Sequence, residues 1–234
     1  LVIELVLSKV DMMIDFKGLL NVFKPKEVEG YFKKEMPNAQ WSGVVTNVLL
    51  GMVIVTIASF IVALVQTMFQ GVLMTMGGAA GQAVVSGAAN LGGVLVGAVM
   101  NFILFFVFAF ILHFIARAMG GKGEALKLLY LMSIASLALS PIWAVIQLLM
   151  IIPCINCLML IVGFGVLLYE LYLIYEGVMV SHGLESNKAL IAVAAWVIVL
   201  LIIAAVIIGA MMLFIGATMF GAGALSGMSP TYYP

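Results

Sequence analysis

The chain has 234 residues, 65% of them hydrophobic and 9% charged, with a formal net charge of zero. A soluble domain carries roughly a quarter charged residues, so this composition points to a polytopic integral membrane protein. The neutral balance leaves no charge argument for a nucleic-acid partner, and partners are to be sought in or beside the bilayer.

Residues 1–40 are the only sizeable polar segment. Its six lysines are matched by six acids, so no polybasic lipid-binding arm is expected. The chain opens on Leu1, Met12 and Met13 are candidate initiators, and no charged n-region with a cleavage site precedes the apolar tracts. Phe16, Leu19, Leu20 and Phe23 fall on one helical face, with Asp15, Lys17 and Asn21 elsewhere. That spacing predicts an amphipathic helix on the membrane surface, with a solvated arm as the competing reading. Pro25 opens a second short helix, Lys26 to Met36, with Val28, Tyr31 and Phe32 on one side, and Pro37 ends it.

Between Glu35 and Arg117 no charged residue occurs, and none occurs between Lys127 and Glu170. Trp41 suits an interface, and residues 43–69 are long enough for the first span. Residues 70–93 are rich in Gly, Ala, Ser and Val, and predict an outer loop, a re-entrant element or a small-residue packing helix. A full extra crossing there would put Arg117, Lys122 and Lys127 opposite the lysine-rich N-terminus, against the positive-inside rule. Residues 94–118 form the second span, Gly120-Gly121-Lys122-Gly123 the turn, and 125–152 the third span. Pro141 interrupts that span and frees a carbonyl that Ser136 or Ser140 is placed to satisfy.

Residues 153–157 make the outer turn, 158–180 the fourth span, 181–188 an inner loop, 189–220 the fifth span and 221–234 an extracytoplasmic tail. Lysines and arginines number six before the first span, three in the 117–127 loop and one in the 181–188 loop. The expected architecture is an all-α membrane bundle of five transmembrane helices, N-terminus in and C-terminus out, with a short amphipathic N-terminal arm.

The run Met119-Gly-Gly-Lys-Gly-Glu-Ala-Leu-Lys-Leu-Leu-Tyr130, with Pro141 downstream, resembles the Gly-Gly-x-Gly loop and following span of the Yip domain family, the Ypt/Rab-interacting membrane proteins and their prokaryotic relatives. Tyr169-Glu-Leu-Tyr-Leu-Ile-Tyr-Glu-Gly177 and His182-Gly-Leu-Glu-Ser-Asn-Lys-Ala189 are similar to that family's last loop. The resemblance, over about residues 18–215, implies a helical bundle without catalytic residues or cofactors. For eukaryotic members it implies membrane traffic and GTPase-like partners. Its prokaryotic-type form implies a cell-membrane location and more of a fold than a function.

The candidate chemistry is thin. Gly120-Gly-Lys-Gly lacks the spacing and hydroxyl of a phosphate loop, and Glu124 stands where the hydroxyl belongs. His113 and His182 are the only histidines, too few for a metal site. Cys154 and Cys157 are either two small residues at a turn or a disulfide or redox pair without a second thiol pair to relay electrons. Gly93 with Gly97, and Gly216 with Gly221 and Gly223, suit close helix packing, with homo-oligomerisation as the second reading.

Glu170 lies about 20 Å below the outer turn, at a depth where an ionised carboxylate needs a partner. His113 and Arg117 are expected to supply it, giving an intramembrane polar cluster of His113, Arg117, Glu170 and Glu176. The cytoplasmic partner loops are Gly120, Gly121, Lys122, Gly123, Glu124 and Lys127 with His182, Gly183 and Lys188. Two functions fit: a non-enzymatic scaffold that recruits another membrane or cytoplasmic protein, or a permease or transport-complex subunit with a site near Glu170.

Overall fold

The computed structural model describes residues 16–76 and 80–226, with side chains described over 18–69, 71–72, 90–152 and 154–213. Among these residues all regular structure is helical. Helix α1, Phe16–Leu19, runs into a 3₁₀ turn at Leu20–Phe23, and α2, Pro25–Glu35, runs into another at Met36–Asn38. Five long helices follow: α3 (Trp41–Met76), α4 (Ala80–Ala118), α5 (Ala125–Leu149), α6 (Pro153–His182) and α7 (Ser186–Ser226). Each contains a stretch long and apolar enough to cross a membrane. The protein is a multi-pass integral membrane protein. In hydrocarbon a helix satisfies its own N–H and C=O groups, which is why apolar runs of this length take no other form.

The described residues form two compact units, the first ending at Val193 and the second beginning at Ala194. In the second unit α7 continues as one helix with Ile198, Leu201, Ile202 and Val206 exposed.

Helix α5 is the centre of the first unit, packed against α3, α4 and α6. Its most apolar stretch is 72% buried, whereas that of the second span is 6% buried. Small residues let α3 approach it closely. Gly43, Asn47 and Gly51 repeat every fourth residue, and a Cβ on Gly51 would stand 3.5 Å from the Leu137 Cα and the Ser140 side chain. A Cβ on Gly43 would meet the Tyr130 ring at 2.8 Å. Polar side chains join the same seam: Asn47 Nδ2 donates to Ser133 Oγ at 3.2 Å, and Ser133 donates to the Tyr130 carbonyl at 2.7 Å. Two turns beyond Gly51, Ser59 Oγ meets Gln147 Oε1 at 2.7 Å. Buried Asn and Ser thus hold each other where lipid offers no partner.

Pro141 sits inside α5 without breaking it. Its missing N–H leaves the Leu137 carbonyl free, and Ser140 Oγ donates to that carbonyl at 2.8 Å.

Of the three readings open for residues 70–93 the helical one fits the described residues, since α3 continues to Met76 and α4 begins at Ala80, while other expectations change. Each glycine lowers helix propensity by about 1 kcal/mol, less than backbone groups left unbonded beside lipid would cost. Gly77, Gly78 and Ala79 lie outside the described residues. Met150 to Ile152, and not residues 153–157, turn the chain at the far end, since Pro153 starts α6 at the position that proline favours. The close-packing glycines are Gly43 and Gly51: a Cβ on Gly93 or Gly97 meets nothing within 4 Å. Gly216, Gly221 and Gly223 lie outside the described side chains, and the end of the tail, Gly227–Pro234, outside the described residues.

Because α3 and α5 meet at Gly51 but nothing meets Gly97, Gly51→Leu should lower the thermal midpoint in detergent by the equivalent of about 1–3 kcal/mol, the cost of overpacking. Gly97→Leu should stay within about 0.5 kcal/mol of wild type. Equal losses in the two variants would contradict this packing.

Candidate functional site

The loop and helix ends that carry Arg117, Lys122, Lys127 and Lys188 converge at one end of the first unit. Helix α4 stops because Gly120 takes a left-handed backbone, φ 94°, which glycine adopts without strain. Gly121 N–H then bonds to the Ala116 carbonyl at 3.0 Å, closing the helix. Helix α6 ends in the same manner at Gly183, φ 61°.

The two turns lie on each other. Lys122 N–H donates to the His182 carbonyl at 3.2 Å. A Cβ on Gly121 would meet the Ala116 carbonyl oxygen at 2.8 Å and His182 Cβ at 2.9 Å. A Cβ on Gly123 would collide with the Ser181 carbonyl itself. Glycine is required at Gly123 by the approach of another segment's backbone, and at Gly121 by the Ala116 carbonyl of its own helix and the His182 side chain.

Beneath the loop the two histidines meet. His113 Nδ1 and His182 Nε2 are 2.9 Å apart, and Ser181 Oγ is 2.8 Å from His182 Nδ1. One ring gives a hydrogen and the other accepts it, and either sense of the chain Ser181–His182–His113 is complete. All three side chains are buried, so the hydroxyl is closed to a substrate. Arg117, one turn on from His113, is exposed. No group of three or more His, Cys, Asp or Glu able to hold a metal occurs among the described residues. Glu124 pairs with Lys127 at 3.5 Å and Glu185 with Lys188 at 3.6 Å. Both pairs are solvent-exposed and add little stability.

The expected polar cluster divides into three. His113 is paired with His182, which the sequence placed in a loop, and Glu170 lies within hydrogen-bond reach of the Trp143 indole on α5, not paired with His113 or Arg117. Gly163, two turns before Glu170, faces the same indole: a Cβ there would lie in ordinary contact, 3.6 Å from the Trp143 ring. Glu176 belongs with the N-terminal arm. It lies within hydrogen-bond reach of Tyr172 and within electrostatic range of Glu29 and Lys33 on α2.

The arm is docked on protein. Val22, Val28, Tyr31 and Phe32 are buried, the Tyr169 hydroxyl donates to the Val22 carbonyl, and the Tyr172 hydroxyl donates to the Pro25 carbonyl at 2.9 Å. The expected stripe of Phe16, Leu19, Leu20 and Phe23 is not a single α-helical face. Its second half is 3₁₀, whose three-residue turn rotates Val22 inward and leaves Leu20 and Phe23 exposed. The side chain of Phe16, and Asp15 altogether, lie outside what is described. Cys154 and Cys157 are free and exposed in the first turns of α6, not tucked away as small apolar residues.

The residues missed by sequence reading are Trp143, Ser181 and the stripe Tyr169, Tyr172. Spacing of three along α6 marks the tyrosines as one face, but only the fold shows what that face covers.

With both turns in place, a family model for the Yip1 domain matches residues 21–208, more than three quarters of the chain. The chain belongs to the Yip1 domain family. No curated protein and no solved structure matches it. The Yip1 match spans the arm from Asn21 on, the first four membrane helices and more than half of α7, so the pinned turns and the docked part of the arm lie within it.

Gly123→Ala should destabilise the protein in detergent by about 1–3 kcal/mol, since backbone, not a flexible side chain, must move. Gly120→Ala, strained in φ but open in space, should cost about 1 kcal/mol or less. Thermal unfolding of both variants checks this, and the reverse order would contradict the docking of the loops.

Proposed function

We propose that this Yip1-domain protein is a non-enzymatic membrane scaffold that recruits a protein partner through its charged end. The observation that carries the reading is the backbone contact between residues 121–123 and 181–182, which joins two loops far apart in sequence into one surface. Lys122, Glu124, Glu185 and Lys188 are exposed on those loops. A rigid surface spares a partner the entropy of ordering flexible loops.

The charged end faces the cytoplasm. All ten lysines and arginines lie in the arm, the 117–127 loop or the 181–188 turn, which supports that orientation under the positive-inside rule. The arm, with Leu20 and Phe23 exposed, lies against the bilayer margin there. The buried Ser181–His182–His113 chain has no free face for a substrate, in keeping with a non-enzymatic role. GTPase-like partners follow from family analogy alone.

A second reading, a permease or transport-complex subunit, draws on one observation. Glu170 sits within a membrane span, within hydrogen-bond reach of the Trp143 indole, an arrangement suited to a proton or cation site.

Photo-crosslinkers placed at Lys122 and at Lys188 in native membranes should trap the same partner polypeptide. One placed at Ile161, exposed on α6 within the span, should not trap it. Different adducts from the two loops, or none, would sink recruitment by a joint surface. Solute flux through liposomes holding the purified protein alone would favour the permease.

A further inference from the structure

The arm fills a groove on α6 that does not satisfy its own chemistry. Tyr172 has one hydroxyl hydrogen and two acceptors in reach, the Pro25 carbonyl of the arm and the Glu176 carboxyl. While the hydrogen serves Pro25 it does not serve Glu176. Glu176 is 8% exposed, and its Oε2 has no hydrogen-bond partner. Around it stand Tyr172 on its own helix, Glu29 and Lys33 on α2, and Phe32 and Leu131, which flank neighbouring Gly177. The nearby cation is committed elsewhere, for Lys33 Nζ bonds to Glu29 Oε1 at 2.6 Å.

What the groove reads of the arm is generic. Both tyrosine hydroxyls end on main-chain carbonyls, and the buried residues Val28, Tyr31 and Phe32 form an i, i+3, i+4 stripe that any amphipathic helix can present. A helix with the same stripe and an uncommitted cation one turn from it would supply what Glu176 lacks.

We infer that the α6 groove beneath the arm is a helix-binding site, and that its second occupant is a basic amphipathic helix of another protein, which displaces the arm and pairs with Glu176. The inference rests on the recruitment reading only in assigning that helix to a partner.

The test uses the full-length protein in phosphatidylcholine nanodiscs, with Cys154 and Cys157 changed to Ser and a Val28→Cys reporter at a fully buried position of the arm. Two synthetic peptides of residues 20–38 are the probes, one native and one with Glu29→Lys, which releases Lys33 and adds a second ammonium. Displacement of the arm is read as faster maleimide labelling of the reporter. The Glu29→Lys peptide should reach half-effect at about tenfold lower concentration, the value of one charge-assisted hydrogen bond. Glu176→Gln in the protein should remove most of that advantage.

Equal potency of the two peptides, no acceleration by either, or an undiminished advantage in Glu176→Gln would overturn the inference. The peptide comparison on unaltered Glu176 stands even if Glu176→Gln does not fold. Peptide exchange uses purified components, so its failure is separate from a failure to trap a common partner at Lys122 and Lys188.

Discussion

The backbone of residues 121–123 rests directly on that of residues 181–182, and glycine is what allows it. One contact therefore ties the turn between α4 and α5 to the end of α6. The His113–His182 hydrogen bond lies immediately below, reaching from α4 to the last residue of α6. With those ends held, α6 offers its Tyr169 and Tyr172 face to the arm, and α2 brings Phe32 beside Gly177, which Leu131 also approaches. The charged end is assembled from segments that each depend on where α6 stops.

Within the span the governing constraint is different. Hydrocarbon supplies no hydrogen bonds, so each polar group must be matched inside the protein. Helix α5 receives most of these matches: Asn47 to Ser133, Ser59 to Gln147 and Ser140 to the carbonyl released by Pro141, with Trp143 in reach of Glu170. Such bonds contribute about 0.6 kcal/mol each on average in membranes. Their larger effect is selection of register between α3 and α5, because a shifted helix would strand an amide or a hydroxyl.

The presence of the spans was legible in the sequence because charge is so sparse. The satisfaction of the Leu137 carbonyl by Ser140 was legible too, since proline names the carbonyl it frees and the adjacent hydroxyl is in reach. The partner of Glu170 was not. Depth alone pointed to His113 and Arg117, but depth does not state azimuth, and the rotation of α6 turns Glu170 towards Trp143. Gly93 and Gly97 look like packing residues on the same evidence of size that applies to Gly43 and Gly51. Only the neighbours distinguish them, and an isolated helix carries no information about its neighbours. The docking of Gly123 on Ser181 was hidden for the same reason: a flexible turn and a pinned turn use the same glycines.

Hydrogen exchange of the Lys122 amide, measured on the protein in nanodiscs, tests the pinned surface most directly. Lys122 is exposed and flanked by glycines, so an unpinned loop would exchange at the rate of a free peptide. The N–H bond to the His182 carbonyl predicts slowing by about tenfold or more, lost in Gly123→Ala. Exchange of the Lys122 amide at the free-peptide rate in the unaltered protein would contradict the account.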